Sequence, residues 1–240
     1  MDPDRHSTCE TGGVTTSPIV AAFDFDGTIT EGGSVFHWLR FIAGDAAVSK
    51  AALPLTIPLL VGAARSGRWA DGAKERLFQG VLAGLDFADV SARSRDFILE
   101  HLQHEGRDLV LRRLRWHVEQ GHDVVVVSAS PQIYVDIIAE ELGITGGLGT
   151  RLAVDARGKL TGSYLGKNCR GTEKMRRLST WIAERGYDTE PVIYAYGNSR
   201  GDRRLLGGAT YPFDCGKLGL FGALRTYPRL SEANVATAGE

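Results

Sequence analysis

A chain of 240 residues with 43% hydrophobic and 24% charged side chains has the composition of a globular protein, long enough for one large domain or a core with an insertion. Its net charge of −1 gives no electrostatic case for a nucleic-acid partner, and no apolar stretch reaches the length of a membrane span. The cysteines Cys9, Cys169 and Cys215 are odd in number, with no metal-ligand or Cys-x-x-Cys spacing, which points to a reducing compartment.

Residues 1–17 are polar and lack the basic and apolar regions of a secretory signal, so a cytoplasmic location is expected. They read as a loose end, as do residues 231–240. The run 19–25 is apolar and partly β-branched and predicts a buried strand. It leads into Asp24-Phe25-Asp26-Gly27-Thr28. Strand residues two apart point the same way, so Asp24 and Asp26 would leave the strand end together while Phe23 and Phe25 face the core.

Helical patterns follow at 35–43, 51–64, 73–82 and 90–104. The second, AALPLTIPLLVGAA, contains Pro54 and Pro58 and reads as buried or interfacial. About 80 residues thus separate the first strand from the next core helix, although a crossover needs only about a dozen. The surplus, 34–105, reads as a helical cap inserted into a core of 18–33 and 106–230. His101 and His104 could share one helix face and are taken as surface histidines.

A helix at 109–120 stops at Gly121 and feeds the strand 123–128. A helix at 132–142, a hairpin-like stretch at 149–165 turning at Asp155-Ala156-Arg157-Gly158, and a helix at 172–185 come next. Short strands at 192–196 and 210–213 complete the alternation. The arginines at 112, 113, 115, 176, 177, 203 and 204 read as solvated helix faces. The pattern implies an α/β, doubly wound, mainly parallel sheet with its site at the strands' carboxyl ends.

Two carboxylates side by side are costly unless a cation or shared proton relieves them. Asp24 and Asp26 therefore suggest a hard, oxygen-liganded metal such as Mg²⁺, with one carboxylate free as nucleophile. Ser128 ends its strand ahead of a helix, where a hydroxyl can meet an anion or simply cap the helix. Lys174 opens the helix at 172, with Lys167 its rival as a site cation. Asn198 and Asp202 follow the strand at 192; an amide oxygen can ligate Mg²⁺ but brings no charge.

In this order the segments resemble the four motifs of the haloacid dehalogenase (HAD) superfamily. The strings Ser128-Ala129-Ser130-Pro131 and Gly166-Lys167-Asn168-Cys169-Arg170-Gly171-Thr172-Glu173-Lys174 resemble its phosphoserine-phosphatase-like branch, subfamily IB, with a helical cap. The resemblance implies a Mg²⁺-dependent phosphomonoester hydrolase in which Asp24 is phosphorylated and Asp26 is general acid and base. It implies phosphate contacts from Gly27, Thr28, Ser128, Ala129 and Lys174. Metal binding would fall to Asp24, Asp26, Asn198 and Asp202, although Asn198 stands where the family has an acid.

The implied partner is a small phosphomonoester: phosphoserine, histidinol phosphate or a sugar phosphate. Phosphoserine phosphatases place an amine-reading Glu shortly after the first motif, where an ungapped count gives Gly33, with Glu31 two residues earlier. The apolar run 53–61 suggests a lipid phosphate such as phosphatidylglycerophosphate as the alternative, and membrane-surface contact only in that case. A non-catalytic module that binds a phosphorylated ligand rests on Asn198 alone. The sequence gives no oligomeric state.

Overall fold

The computed structural model describes residues 17–55, 67–217 and 226–236. At the centre of its main sheet is β1 (Ile19–Phe23), flanked by β2 (Asp123–Pro131) and β6 (Val192–Gly197). Beyond β2 lies β3 (Gly146–Thr150), and beyond β6 lies β7 (Tyr211–Asp214). All neighbouring pairs are parallel. The strand order reverses at β1, and in open α/β sheets such a point leaves a crevice at the strands' carboxyl ends.

The period of two divides each strand between two cores. Ala21 and Phe23, Val124 and Val126, and Tyr194 and Tyr196 enter the larger one. Val20 and Ala22, Val125 and Val127, and Ala195 enter the smaller. The larger core is covered by α1 (Val35–Ala43), α2 (Asp45–Ala52), α3 (Gly67–Leu82), α4 (Phe87–Glu105), α5 (Asp108–Glu119) and α6 (Gln132–Glu141). The smaller is covered by α7 (Thr172–Arg185) and α8 (Arg203–Gly207). Both Phe23 and Phe25 are fully buried in the larger core, as the alternation demands.

Most of the expected elements are present, with shifted ends. β1 stops at Phe23 because the chain turns immediately after: the amides of Thr28, Ile29 and Thr30 all donate to the Phe25 carbonyl. β2 continues to Pro131, so Ser128, Ala129 and Ser130 belong to the strand rather than following it. The stretch expected as one hairpin from residue 149 splits in two. Gly149 and Thr150 belong to β3, and the antiparallel pair is β4 (Leu152–Val154) with β5 (Leu160–Tyr164). Its turn forms where predicted, with Asp155 Oδ1 accepting from the amides of Arg157 at 2.9 Å and Lys159 at 2.8 Å. The pair packs on α3 so closely that a Cβ on Gly162 would lie 2.4 Å from Gln79 Cα, at a φ of +77°.

The helix expected at 51–64 is not seen where it can be traced. Ala51 and Ala52 end α2, and Leu53–Leu55 is a 3-10 turn with Leu53 exposed and Leu55 buried. The rest of that segment, most of the apolar run 53–61, the loose end 1–16 and Cys9 lie outside the described residues.

Two surface expectations fail. Arg113 is fully buried: its guanidinium lies 4.1 Å from the Trp116 ring centroid, and its Nε donates to Tyr196 Oη at 2.6 Å. His101 is buried against Phe97, with ring centroids 5.2 Å apart, while His104 is exposed. Aromatic rings make burial tolerable for both side chains, and Arg113 adds its hydrogen bond to Tyr196. Cys169 and Cys215 are buried free thiols.

Candidate active site

Asp24 directly follows β1 and stays in the ladder, its amide donating to the Tyr196 carbonyl at 2.9 Å. Its carboxylate is buried. Lys174, in the first turn of α7, donates to Asp24 Oδ1 at 2.5 Å and to Asp202 Oδ1 at 2.5 Å. Thr28 Oγ1 donates to the other Asp24 oxygen at 3.1 Å. Lys174 and Asp202 are buried as well, whereas Lys167 is exposed.

Two carboxylates around one ammonium leave a net negative charge in a dry place. Burial, then the charge of Asp202, pushes the Asp24 carboxyl up to about 7 against the pull of Lys174. Burial also opposes the Lys174 charge, but Asp202 and Asp24 outweigh it and hold the ammonium protonated. For Asp202, burial is overcome by Lys174 and by hydrogen bonds from Ser199, which keep its carboxyl below the ordinary value.

The loop after β6 is built around Asp202 Oδ2, which accepts from the Ser199 amide at 3.0 Å, Ser199 Oγ at 2.7 Å and the Asn198 amide at 3.3 Å. Asn198 is pressed against the first loop: a Cβ on Gly27, whose φ is +77°, would lie 2.0 Å from Asn198 Nδ2. Gly27 thus meets two demands that a side chain would violate. Asn198 Oδ1 is buried and has no hydrogen-bond partner among the described residues. A buried acceptor left in this state costs on the order of 1–3 kcal/mol unless something engages it. Among the described residues no group of three or more His, Cys, Asp or Glu is placed to hold a metal ion, so any metal here relies on that amide oxygen beside two carboxylates.

Asp26 has different neighbours. Its Oδ1 accepts from the Ser34 amide at 2.7 Å, and its Oδ2 accepts from Ser130 Oγ at 2.6 Å. The Ser130 amide in turn donates to Ser128 Oγ at 3.1 Å, and both serines are buried. Ser34 Oγ and Tyr134 Oη lie 2.9 Å apart. Arg107 clamps the first loop from below, donating to the carbonyls of Gly27 at 2.8 Å, Thr28 at 3.2 Å and Cys215 at 2.7 Å. Lys74 of α3 donates to the Ala129 carbonyl at 2.9 Å.

The sequence singled out Asp24, Asp26, Gly27, Thr28, Ser128, Ala129, Lys174, Asn198 and Asp202, and the fold gathers them at the carboxyl ends of β1, β2 and β6. It did not single out Ser34, Ser130, Arg107 or Lys74. Only Ser130 carried a signal, since it lies two residues beyond Ser128 and shares its side of a strand. Glu31 turns elsewhere: its carboxylate lies 3.0 Å from Lys217 Nζ and 3.7 Å from Arg107 Nε. Gly33 is exposed and meets nothing within 4 Å.

Comparison with known proteins bears on the family and the fold. The family model for haloacid dehalogenase-like hydrolases matches residues 21–207. Protein CicA of Caulobacter vibrioides is 32% identical over 198 residues, 82% of this chain and 85% of its own. A histidinol-phosphatase of Neisseria meningitidis is 24% identical over 189 residues, 78% of this chain and 85% of its own. Among solved structures, a protein of unknown function from Bordetella pertussis Tohama I shares the fold at a TM-score of 0.74, with 23% identity over 90% of this chain and 99% of the other. A phosphoserine phosphatase solved as a phospho-aspartyl intermediate analogue shares it at a TM-score of 0.58, with 20% identity over 84% of this chain and 88% of the other. The motifs, the sheet order and these likenesses together establish that the chain belongs to the haloacid dehalogenase-like hydrolase family, in its phosphoserine-phosphatase-like branch.

Proposed function

We propose that this phosphatase hydrolyses small phosphomonoesters through a phosphoryl group carried transiently on Asp24. The observation that carries the proposal is the pair of carboxylates two residues apart with separate partners: Asp24 against Lys174, Asp26 against Ser130 and Ser34. Asp24, held on Lys174 and Thr28, is aimed and kept dry for attack on phosphorus. The P–O bond to the alcohol breaks as the Asp24 oxygen bonds to phosphorus, and Asp26 gives its proton to the departing oxygen. Asp26 then takes a proton from the water that attacks the acyl phosphate, releasing inorganic phosphate and restoring Asp24. Ser128, the backbone around Ala129, and the Gly27-Thr28 turn would hold the phosphoryl oxygens, with Lys174 balancing their charge.

The residues fit a Mg²⁺ ion. Asp24 and Asp202 offer carboxylate oxygens, and Asn198 offers a buried acceptor with no partner of its own among the described residues. When bound, the ion would neutralise charge on the phosphoryl group and orient it toward Asp24. No third carboxylate joins this set among the described residues, so Asp26, held by Ser34 and Ser130, is assigned to proton transfer. The segment 34–105 is proposed as a cap over this centre, joined to the core through shared apolar packing.

The substrate is proposed to be a small phosphorylated metabolite, in keeping with the names of the histidinol-phosphatase and phosphoserine phosphatase relatives. Phosphoserine itself is disfavoured as the preferred substrate, because Glu31 is engaged by Lys217 and Arg107 and Gly33 has no side chain to read an amine. Among the described residues no helix is long and apolar enough to cross a membrane. A panel of phosphomonoesters assayed with and without Mg²⁺ tests the proposal: metal-dependent release of phosphate supports it, and no release from any of them rejects it.

A further inference from the structure

Helix α3 brings a cation to the same strand end from the side opposite α7. Lys74 Nζ donates to the Ala129 carbonyl at 2.9 Å, and this is its one hydrogen bond among the described residues. An ammonium has three donors, so two remain beyond this bond, with the Phe78 ring centroid 5.6 Å from Nζ on one side. Its surroundings are defined by charges from three elements. Asp26 and Asp71 attract it and Arg170 repels it. Asp71 is already committed, accepting from Asn168 Nδ2 at 2.6 Å and lying 3.8 Å from Arg170 Nη1. Burial lowers the Lys74 pKa to about 8, against the pull of the two aspartates, so at neutral pH the ammonium is mostly protonated.

The position matters as much as the charge. Ala129 stands between Ser128 and Ser130, and Ser130 is bonded to Asp26. Lys74 therefore approaches the site on the Asp26 side. If Asp26 protonates the departing alcohol, that alcohol lies on the Lys74 side too. An ammonium with two free donors favours an acceptor or an anion there and repels a second cation.

We propose that Lys74 is a specificity-determining residue that reads the alcohol portion of the phosphomonoester, accepting a carboxylate or hydroxyl near the ester oxygen and disfavouring an ammonium. The proposal rests on the phosphatase assignment and narrows its substrates. Sugar phosphates and phosphorylated hydroxy acids are favoured over phosphorylated amino alcohols that carry no carboxylate, such as histidinol phosphate.

The test compares two probes of equal carbon number, 2-phosphoglycolate and phosphoethanolamine, in the full chain with Mg²⁺. The readout is the ratio of their kcat/KM values, which does not depend on the fraction of folded protein. The wild type is expected to favour 2-phosphoglycolate by about ten- to a hundredfold, the scale of one charge-assisted hydrogen bond. Lys74→Gln should bring the ratio to within about threefold of unity, and Lys74→Arg should restore most of it. A ratio unmoved by Lys74→Gln makes the ammonium a clasp between α3 and β2 and overturns the proposal. A wild-type preference for phosphoethanolamine overturns it as well. Turnover of p-nitrophenyl phosphate with neither two-carbon probe accepted rejects the specificity claim but keeps the phosphatase. No turnover of any of the three rejects both.

Discussion

Asp24 and Asp26 are two residues apart on one short loop, and the fold gives them opposite surroundings. Asp24 faces a charge, Lys174, which it shares with Asp202. Asp26 faces neutral donors, the Ser34 amide and the Ser130 hydroxyl. A carboxylate that must attack and carry a phosphoryl group gains from a fixed cation that offsets the incoming charge. A carboxylate that must exchange a proton gains from hydrogen-bond partners that hold it in position toward the leaving oxygen. In the proposed mechanism this contrast separates nucleophile from acid/base between otherwise similar side chains, and each substitution below removes one side of it.

Asp24→Asn has the largest expected effect. Turnover should fall by on the order of 10⁴-fold or more, with the circular dichroism spectrum kept, because no other described carboxylate pairs with Lys174 at the end of β1 to take the phosphoryl group. The same variant reports the electrostatics of the metal-free protein. A carboxyl whose folded pKa is raised from 3.8 to about 7 costs stability as pH rises through that interval, since the folded state keeps a proton that the unfolded state has lost. Stability of Asp24→Asn minus that of wild type should therefore grow between pH 4 and pH 7, by on the order of 2–4 kcal/mol. Asp202, held below 3.8, titrates outside that window. The histidines His101, His117 and His122 titrate in both proteins and cancel in the difference. Denaturant unfolding at several pH values, with chelator present, measures it.

Asp26→Asn should keep the Ser34 contact but lose the proton, slowing turnover of alkyl phosphates by about 10²–10⁴-fold. An aryl phosphate with a good leaving group needs less protonation and should show a burst of phenol release followed by slow hydrolysis. An equal slowing of both phases would place the acid elsewhere.

Lys174→Met breaks the other side. It leaves Asp24 and Asp202 buried without their cation and should destabilise the metal-free protein by about 3–5 kcal/mol. Added Mg²⁺ should recover part of that loss, read as a rise in Tm with metal concentration. The smallest effect is expected from Asn198→Asp, which adds a charged oxygen where the unsatisfied amide oxygen now stands. Calorimetric titration should show Mg²⁺ binding that is equal or tighter, and weaker binding would remove Asn198 from the metal's ligands.

Much of this was legible in the chain because it is local. The apolar run into Asp24 and Asp26, the Gly27 turn and the alternation of strands with helices each follow from periods of 2 and 3.6 in short windows. The remainder depends on contacts between distant segments. Ser130 meets Asp26 across 104 residues, Arg107 meets the Gly27 carbonyl across 80, and Lys74 meets Ala129 across 55. No period encodes such pairings. Arg113 and His101 misled for a related reason. A basic residue on an amphipathic helix reads as solvated, but each one here faces aromatic rings that become neighbours only when the sheet and helices assemble. Lys174 and Lys167 were indistinguishable by composition; α7 buries the first against Asp24 and Asp202 and leaves the second exposed.

The central claim is that Asp24 carries the phosphoryl group. Acid quenching of wild-type protein during turnover of an aryl phosphate with Mg²⁺, followed by peptide mass spectrometry, tests it most directly. The account predicts one added phosphoryl group on the peptide containing Asp24, accumulating in Asp26→Asn and missing from Asp24→Asn. Turnover with no phosphorylated peptide in Asp26→Asn, or with the label on another residue, would contradict it.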